Sequence, residues 1–254
     1  MNIVIIGTGN VATVFGRIFK KAGFQVIQVF GRNTQITQAL ADELGAKPCI
    51  AWDLIDRNAD MYLVAISDNA LFELDQHLRL SDQLVVHTAG SVSKNILQNI
   101  TTNYGVLYPL QSIRKEIQMS SEIPVLVDSN NEENIQKVFQ IAKHVSPIVS
   151  VASDETRKKF HIAGIFMNNF VNHLYAMAED FCKKENLEFN LLLPLVLETA
   201  KRIEFISPKE ILTGPAIRND ETTINNHVEY LKAYPSLQIL YQQLTESIRN
   251  FHFE

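Results

Sequence analysis

A glycine-rich turn close to the amino terminus constrains the fold of this chain more than any other feature. The turn, Gly7-Thr8-Gly9-Asn10-Val11-Ala12, follows an apolar run at Asn2–Ile6 and opens a helical pattern at Val11–Lys21. In a GxGxxG/A spacing, the first glycine permits a tight turn, the second lets the backbone approach a pyrophosphate, and the small third residue lets helix and strand pack closely. Free amides at the helix start then face the anion. We therefore predict a dinucleotide site, the alternative being a tight βα turn that binds nothing.

The rest of the first half alternates short apolar runs with helical patterns, which predicts a doubly wound α/β domain around a mostly parallel sheet. The predicted strands are Asn2–Ile6, Gln25–Phe30, Met61–Ile66, Leu84–His87, Gly105–Tyr108, Pro124–Val127 and Ile148–Val151. The predicted helices between them are Val11–Lys21, Ile36–Leu44, Ala70–Leu78, Ser93–Ile100 and Glu132–His144. From Ser153 onward the patterns are only helical, to about Glu185 and then at Leu191–Phe205, Ile224–Ala233 and Leu237–Asn250. We therefore predict a Rossmann-type domain at residues 1–152 and an all-α domain at residues 153–254.

The end of the second predicted strand distinguishes between the two nicotinamide dinucleotides. An NAD site usually carries Asp or Glu about 20 residues after the glycines, where it bonds the ribose 2′-hydroxyl. Here the strand ends Val29-Phe30-Gly31-Arg32-Asn33-Thr34, with no acid. The guanidinium of Arg32 suits a 2′-phosphate, and Asn33 and Thr34 add short donors. We predict NADP as the cofactor, with a solvated loop arginine as the alternative for Arg32.

Two further strand ends are predicted to line the same crevice, because ligands in such sheets bind beyond the carboxyl ends of the strands. They are Ala65-Ile66-Ser67-Asp68 and His87-Thr88-Ala89-Gly90-Ser91. We assign Ile66, Ser67, Thr88 and Ala89 to the cofactor site, and His87 to the substrate. Two alternatives stay open: Asp68 could cap the following helix, and His87 could be a structural histidine.

Polar residues also lie on the otherwise apolar helical stretch from His161 to His173. At about 100° per residue, Asn168 and Asn172 lie within about 20° of His161, whereas Asn169 lies about 80° away. An unpaired buried amide costs about 1–3 kcal/mol, so these groups need partners. The partners are either neighbouring helices or a substrate that faces the nicotinamide.

Further along, a Gly-Pro turn interrupts the helices at Leu212–Asp220. Arg218 in this segment could hold a carboxylate or phosphate through two parallel hydrogen bonds. Asp220 or Thr222 could equally cap the next helix.

Composition narrows the classes of partner and compartment. The net charge of −5 argues against a nucleic-acid partner, which usually requires a basic surplus. The apolar start has no basic n-region, and the longest uncharged stretch, Phe160–Ala178, carries three asparagines and two histidines, so neither a signal peptide nor a membrane span is expected. Cys49 and Cys182 have no partner at metal-ligand spacing. Free thiols in the cytoplasm are the simplest interpretation, and no metal is expected.

Motifs in both halves carry a resemblance to a known group of proteins. The first half supplies the glycine-rich turn, His87-Thr88-Ala89-Gly90-Ser91 and Tyr108-Pro109-Leu110-Gln111. The second half supplies His161 with Asn169-Phe170, Leu193-Pro194-Leu195, Gly214-Pro215-Ala216 with Arg218 and Asp220, and Thr223 with His227. The chain resembles bacterial Rossmann-like proteins related to pyrroline-5-carboxylate reductase, ketopantoate reductase and 6-phosphogluconate dehydrogenase. Within these it is most similar to a branch whose helical C-terminal domain has no assigned function. It departs from the group at Ala89, where Ser is more usual, and at Tyr108, where His is more usual.

The resemblance implies that the helical domain forms a homodimer and that the helix carrying His161 closes over the nicotinamide. His161 resembles the counterpart of an acid–base Lys in the dehydrogenase relatives, and Asn169 that of a catalytic Asn. The straight-helix geometry prefers Asn168 or Asn172, so either the helix is distorted there or the correspondence is displaced by one residue.

The leading hypothesis is an NADP-dependent oxidoreductase that transfers a hydride between the cofactor and a small anionic carbonyl or imine. His161 would move the proton, Asn169 would orient the substrate, and Arg218 would hold its anionic end, with Asn172 as a further contact. A dinucleotide-binding regulator or sensor without hydride transfer is the main alternative. A structural partner protein that has lost cofactor binding is a weaker one, because the glycine turn is intact.

Overall fold

The computed structural model describes residues 1–117 and 122–253, with side chains to residue 252. By its contacts the chain divides into two compact units, Met1–Asn169 and the residues from Phe170 on. The first unit contains all the strands of the described residues, and the second is helical. The predicted boundary near residue 152 lies between the last strand and the first of the C-terminal helices.

The first unit is built on one eight-stranded sheet with the order β3-β2-β1-β4-β5-β6-β7-β8. The strands are β1 (Asn2–Ile6), β2 (Gln25–Phe30), β3 (Lys47–Cys49), β4 (Met61–Val64), β5 (Leu84–His87), β6 (Asn103–Pro109), β7 (Val125–Ser129) and β8 (Val149–Val151). All neighbouring pairs are parallel except β6 with β7, which is antiparallel. The predicted doubly wound, mostly parallel sheet is therefore confirmed.

Both faces of the sheet are covered, as the continuous apolar strands predict. Successive side chains of a strand point to opposite faces, and in β1 the side chains Ile3 and Ile5 join one hydrophobic core while Val4 and Ile6 join the other. All four are fully buried, and each such side chain contributes about 1.5–3 kcal/mol relative to exposure. The glycine-rich turn therefore leaves the sheet directly after a strand that is buried on both faces.

The helices of the first unit largely follow the sequence prediction. They are α1 (Asn10–Lys21), α2 (Thr34–Leu44), α3 (Asp68–Phe72), α4 (Glu132–Val145) and α5 (Asp154–Gly164). Helix α5 begins where Ser153 predicts, because the Ser153 side chain accepts a hydrogen bond from the Thr156 amide and caps the helix. A π-helical segment, Ile165–Phe170, continues directly from α5.

Some elements differ from the prediction for local reasons. Strand β3 was not predicted, since it has three residues and contains Pro48, which cannot donate to a ladder and suits an edge strand. The predicted helix Ala70–Leu78 is the short α3 followed by a 3-10 turn at Leu74–Gln76. The predicted helix Ser93–Ile100 is a 3-10 turn at Lys94–Leu97, started by the Ser93 side chain accepting from the Asn95 amide.

The second unit contains the remaining helices. They are α6 (Val171–Lys184), α7 (Leu193–Arg202), α8 (Pro208–Ile211), α9 (Glu221–Tyr230) and α10 (Pro235–Phe253). Glu185, at the end of α6, accepts hydrogen bonds from the phenols of Tyr230 and Tyr234 and so ties α6 to the end of α9. No helix among the described residues is both long enough and apolar enough to cross a membrane.

Candidate functional site

A cavity of about 1200 Å³ opens in the first unit at the carboxyl ends of the parallel strands. Most of the residues predicted to bind the cofactor line it: Gly7, Thr8, Gly9, Asn10, Val11, Arg32, Ile66, Ser67, Thr88 and Ala89. The two predicted catalytic residues, His161 and Asn169, line it as well. The structure thus brings together, in one cavity, residues that are far apart in the sequence.

The glycine-rich turn has the geometry needed for the close approach of an anion. Gly7 adopts a φ of 125°, and a Cβ there would lie 2.1 Å from the Ala65 carbonyl oxygen, so only glycine fits. A Cβ on Gly9 would meet nothing within 4 Å, which leaves open space beside the start of α1. No side chain caps α1 and its first turn has no acid, so its amides are available to an anion. Ala12 is fully buried beneath the turn, as close packing requires. These features fit a pyrophosphate.

Arg32 follows β2 and lines the cavity with an exposed side chain. Within residues 1–117 and 122–253, no hydrogen bond or ion pair engages its guanidinium. Asn33 does not line the cavity; its side-chain oxygen accepts from the Ile36 amide at 3.0 Å and caps α2. The Arg32 guanidinium directly precedes the cap residue of α2, and the first turn of α2 contains no acid. The positive charge of Arg32 and the positive end of the helix dipole therefore lie next to each other.

Among the residues that directly follow β4 or end β5, His87 is not placed as predicted. His87 is fully buried and does not line the cavity, in contrast to Thr88 and Ala89. Its Nδ1 accepts from the Ala89 amide at 3.1 Å, and burial, aided by the positive charge of Arg157, lowers the pKa of His87 to about 4. The structural alternative for His87 fits this burial better than the predicted substrate contact. At β4, Ser67 and not Asp68 holds the cap position of α3.

A pair formed by Tyr108 and His161 also lines the cavity. The Tyr108 hydroxyl is 3.0 Å from His161 Nδ1, and the two rings meet edge to face. Gly90 makes room for the pair, since a Cβ there would lie 2.6 Å from His161 Nδ1 and 3.0 Å from Tyr108 Cε2. In the sequence, Tyr108 stands out only as a departure from the resembled group. No local signal could reveal a contact between β6 and α5.

The π-helical segment changes which asparagine shares a face with His161. Its i→i+5 hydrogen bonds widen the turn, and at an ideal ~80° per residue Asn169 falls within about 20° of His161 and Asn168 about 90° away. Both asparagines line the cavity. The assumption of a straight α-helix, on which the preference for Asn168 or Asn172 depended, was wrong. Which of these asparagines acts on the substrate stays a prediction.

An ionic cluster at the start of α5, which the sequence did not predict, joins this helix to the segment after β5. Arg157 is 1% exposed, and its Nη2 donates to Asp154 Oδ1 at 2.7 Å and to the Val92 carbonyl. Although burial opposes it, hydrogen bonds from Ser93 and Arg157 lower the pKa of Asp154. A buried charge that loses its partner is strongly destabilising, so this cluster fixes the start of α5 and hence the position of His161.

Aromatic side chains form part of the cavity lining. Trp52, the only tryptophan, lies 3.9 Å from the Phe30 ring centroid and stacks on His77 with an interplanar angle of 5°. Both Trp52 and His77 line the cavity. Aromatic rings in the lining suit a planar ligand ring, and Trp52 provides a natural fluorescent reporter of ligand binding.

Two predicted substrate residues, Asn172 and Arg218, belong to the second unit, and their roles stay predictions. In the same unit, Asp220 caps α9, accepting from the Thr223 amide at 3.1 Å and from its hydroxyl at 2.7 Å. The capping alternative for Asp220 is therefore confirmed.

Comparisons with known proteins agree with this architecture. Residues 2–91 match a family model described as NADP oxidoreductase, coenzyme F420-dependent, and residues 123–248 match a domain of unknown function, DUF2520. No curated protein matches the sequence.

Solved structures extend the match over the whole chain. A candidate NADP oxidoreductase of Bacteroides fragilis is 36% identical over 98% of both chains, with a TM-score of 0.92. A pyrroline-5-carboxylate reductase of Streptococcus pyogenes is 14% identical over 98% of both chains, with a TM-score of 0.64. An imine reductase of Myxococcus stipitatus, solved with NADP+, is 14% identical over 98% of this chain and 92% of its own, with a TM-score of 0.63. The last two share the fold alone. The chain belongs to the family of NADP oxidoreductases in which a Rossmann-type domain is followed by a DUF2520 domain.

Proposed function

We propose that this protein uses NADP(H) to transfer a hydride to or from a small anionic carbonyl or imine. The observation that carries the proposal is that one cavity is lined both by the glycine-rich turn with Arg32 and by His161 with Asn169. When bound, the cofactor supplies the hydride chemistry. The chain supplies binding, orientation and a proton.

On the cofactor side, the amides at the start of α1 bind the pyrophosphate in the open space beside Gly9. Arg32 and the start of α2 bind the 2′-phosphate, with Asn33 contributing its side-chain nitrogen. The absence of an acid in this stretch of the sequence removes the partner that an NAD ribose would need.

On the substrate side, His161 gives a proton to the carbonyl oxygen or imine nitrogen during reduction, or takes it back during oxidation. Asn169, on the same face, orients that atom through its side-chain amide. The anion contact predicted for Arg218 and the further substrate contact predicted for Asn172 belong to the second unit and stay predictions. The imine reductase and the pyrroline-5-carboxylate reductase share this fold, which supports keeping imines beside carbonyl compounds as candidate substrates.

Cofactor preference is tested by titrating the protein with NADPH and NADH and following quenching of Trp52 fluorescence. We expect tighter binding of NADPH. In Arg32→Ser, NADPH should bind about tenfold to a hundredfold more weakly with NADH little changed, since a hydrogen bond to a charged group contributes about 1.5–3 kcal/mol. Arg79→Ser, at an arginine outside the cavity lining, is the matched control. Tighter binding of NADH by the unaltered protein would contradict the proposal.

Hydride transfer is tested by following NADPH oxidation with cyclic imines, keto acids and aldehydes. With an active substrate, His161→Ala should keep NADPH affinity within about threefold while turnover falls at least 10²-fold. His252→Ala, near the end of α10, is the control histidine variant. Unchanged turnover in His161→Ala would remove His161 from the mechanism. Tight NADPH binding without turnover on any compound would favour the non-catalytic regulator.

The proposal also includes a second copy of the chain. Helix α7 has no buried residue in the single chain, although it carries several leucines. A homodimer formed through the second unit would cover them. We place the protein in the cytoplasm, where its two free, buried cysteines stay reduced.

A further inference from the structure

Tyr108 lies beside His161 but has no role in the mechanism proposed above. It lies in β6, is 9% exposed, and lines the cavity beside His161. A buried phenol needs a hydrogen-bond partner, because leaving its hydroxyl unpaired costs about 1–3 kcal/mol. His161 Nδ1, at 3.0 Å, is that partner.

The direction of this hydrogen bond follows from the surroundings of the phenol. Burial raises the pKa of Tyr108, with the charge of Arg157 acting in the opposite direction. The phenol is therefore protonated at neutral pH and has a proton to donate. Among the described residues, His161 Nδ1 is the hydrogen-bonding group at the Tyr108 hydroxyl, so donation to Nδ1 is what pairs the phenol proton. An imidazole nitrogen that accepts a hydrogen bond carries no proton itself, and the ring proton of a neutral His161 then lies on Nε2.

The fit around the pair supports a fixed arrangement. Gly90 is buried, and any side chain there would overlap the His161 ring at Nδ1 and Cγ. One turn before His161, Arg157 donates to the Val92 carbonyl, and Asp154 accepts from the Ser93 hydroxyl, which ties the start of α5 to the segment after β5. The imidazole is thus confined on the Gly90 side and bonded at Nδ1, which leaves Nε2 as the nitrogen able to act on a ligand in the cavity.

We propose that Tyr108 is a positioning residue for His161, whose hydroxyl donates to Nδ1 and holds the imidazole in the tautomer with its proton on Nε2. The tautomer depends on the Tyr108 contact alone, whereas its effect on turnover rests on the proposed function. Tyr108, which stands where the resembled group more often has His, then has a function of its own in this site.

The tautomer is tested in the protein without ligand by long-range ¹H–¹⁵N NMR of ¹⁵N-labelled histidine at pH 8. Among the seven histidines, the His161 signals are those lost in His161→Asn. We expect the Nε2-protonated form in the unaltered protein and a mixture of tautomers in Tyr108→Phe, which keeps the ring and removes the hydroxyl. Tyr104→Phe, the same change four residues earlier in β6, should leave the His161 signals unchanged. A proton on Nδ1 in the unaltered protein, or an unchanged tautomer in Tyr108→Phe, would overturn the inference.

Kinetics with a substrate found in the NADPH screen gives the second measurement. Tyr108→Phe should lower kcat at least about tenfold, as a misassigned tautomer does in other histidine-dependent sites, with KM within about threefold. Tyr104→Phe should match the unaltered protein, and thermal unfolding checks that both variants are folded. An unchanged kcat in Tyr108→Phe would overturn the positioning role. If no substrate is turned over, the proposed function fails while the NMR result still decides the tautomer.

Discussion

Gly7 and Gly9 belong to the same turn, yet the fold requires only Gly7 to be a glycine. Gly7 combines a positive φ with a contact to the Ala65 carbonyl that would lie 2.1 Å from a Cβ. Gly9 has an ordinary φ of −78° and free space around it. The cost of a side chain at Gly9 should therefore appear only when a pyrophosphate must approach the backbone.

This difference predicts that Gly9→Ala separates binding from folding. Its midpoint of thermal unfolding should stay close to that of the unaltered protein, while NADPH affinity, measured by Trp52 fluorescence, falls at least about tenfold because the methyl group occupies the approach. Gly7→Ala is the contrasting variant and should lower the unfolding midpoint itself. A Gly9→Ala protein that binds NADPH normally would mean that the pyrophosphate is not held at this turn.

His87 predicts a specific dependence of stability on pH. Its folded pKa, about 4, lies below the ordinary value of 6.5, so between these values the unfolded chain binds a proton that the folded chain does not. Stability is therefore lost as pH falls from 6.5 towards 4, by about 2 kcal/mol between pH 7.5 and pH 5 from this residue. Urea unfolding at the two pH values measures it, and His87→Asn should remove that part of the loss. The same loss in His87→Asn would contradict the assignment.

At this scale, local patterns predicted the residues whose role depends on the backbone nearby. The glycine-rich turn, Arg32 after β2 and the Ser153 cap are all examples, because turn chemistry and capping act over a few residues. The Tyr108–His161 contact joins positions separated by 53 residues, and the fit at Gly90 depends on both. Such contacts exist only after the sheet and α5 have packed, so spacing along the chain does not contain them.

Among the elements, the π-helical segment at Ile165–Phe170 has the largest consequence for the site. A regular helix would leave Asn169 about 80° from His161, whereas the widened turn brings it to within about 20°. Such segments are rare and frequently occur at functional sites. The sequence does not predict the π-helical segment, because an apolar helical pattern is the same for α and π winding.

The π segment predicts that two adjacent asparagines differ in importance. Asn169→Ala should lower turnover at least about tenfold because it removes the amide on the His161 face, while Asn168→Ala should change it less than about threefold. The two variants match in residue type and in chain position, and steady-state rates with NADPH and an active imine compare them. A larger loss in Asn168→Ala would show that the regular helix, not the π segment, describes the working enzyme.

For the sheet as well, the sequence predicts single strands better than it predicts how the strands pair. Strands β1, β2 and β5 were predicted at their observed bounds, because a buried parallel strand is a continuous apolar run. The antiparallel pairing of β6 with β7 was not specified, since nothing in either strand fixes the direction of its neighbour. Strand β3 was missed because three residues containing Pro48 do not form a recognisable pattern.

For the whole molecule, the second unit leaves much apolar surface uncovered. Leu191 is 74% exposed, Leu195 65%, Leu197 71% and Phe205 75%. Single exposed leucines are normal in monomeric proteins, but a helix such as α7 without one buried residue is not. Composition and periodicity predicted apolar helix faces, yet which of them remain uncovered follows only from the packing of the single chain.

Covering these side chains with a second copy predicts a dimer that charges on α7 should disrupt. Size-exclusion chromatography with light scattering should give about twice the 28.8 kDa chain mass for the unaltered protein and the monomer mass for Leu195→Glu combined with Leu197→Glu. Leu54→Glu is the control, because Leu54 is also 65% exposed but lies in the first unit. A charge buried in an apolar interface costs several kcal/mol, enough to dissociate a micromolar dimer. A monomeric unaltered protein would mean that α7 serves another purpose, and a dimer that persists with both charges would place the contact elsewhere.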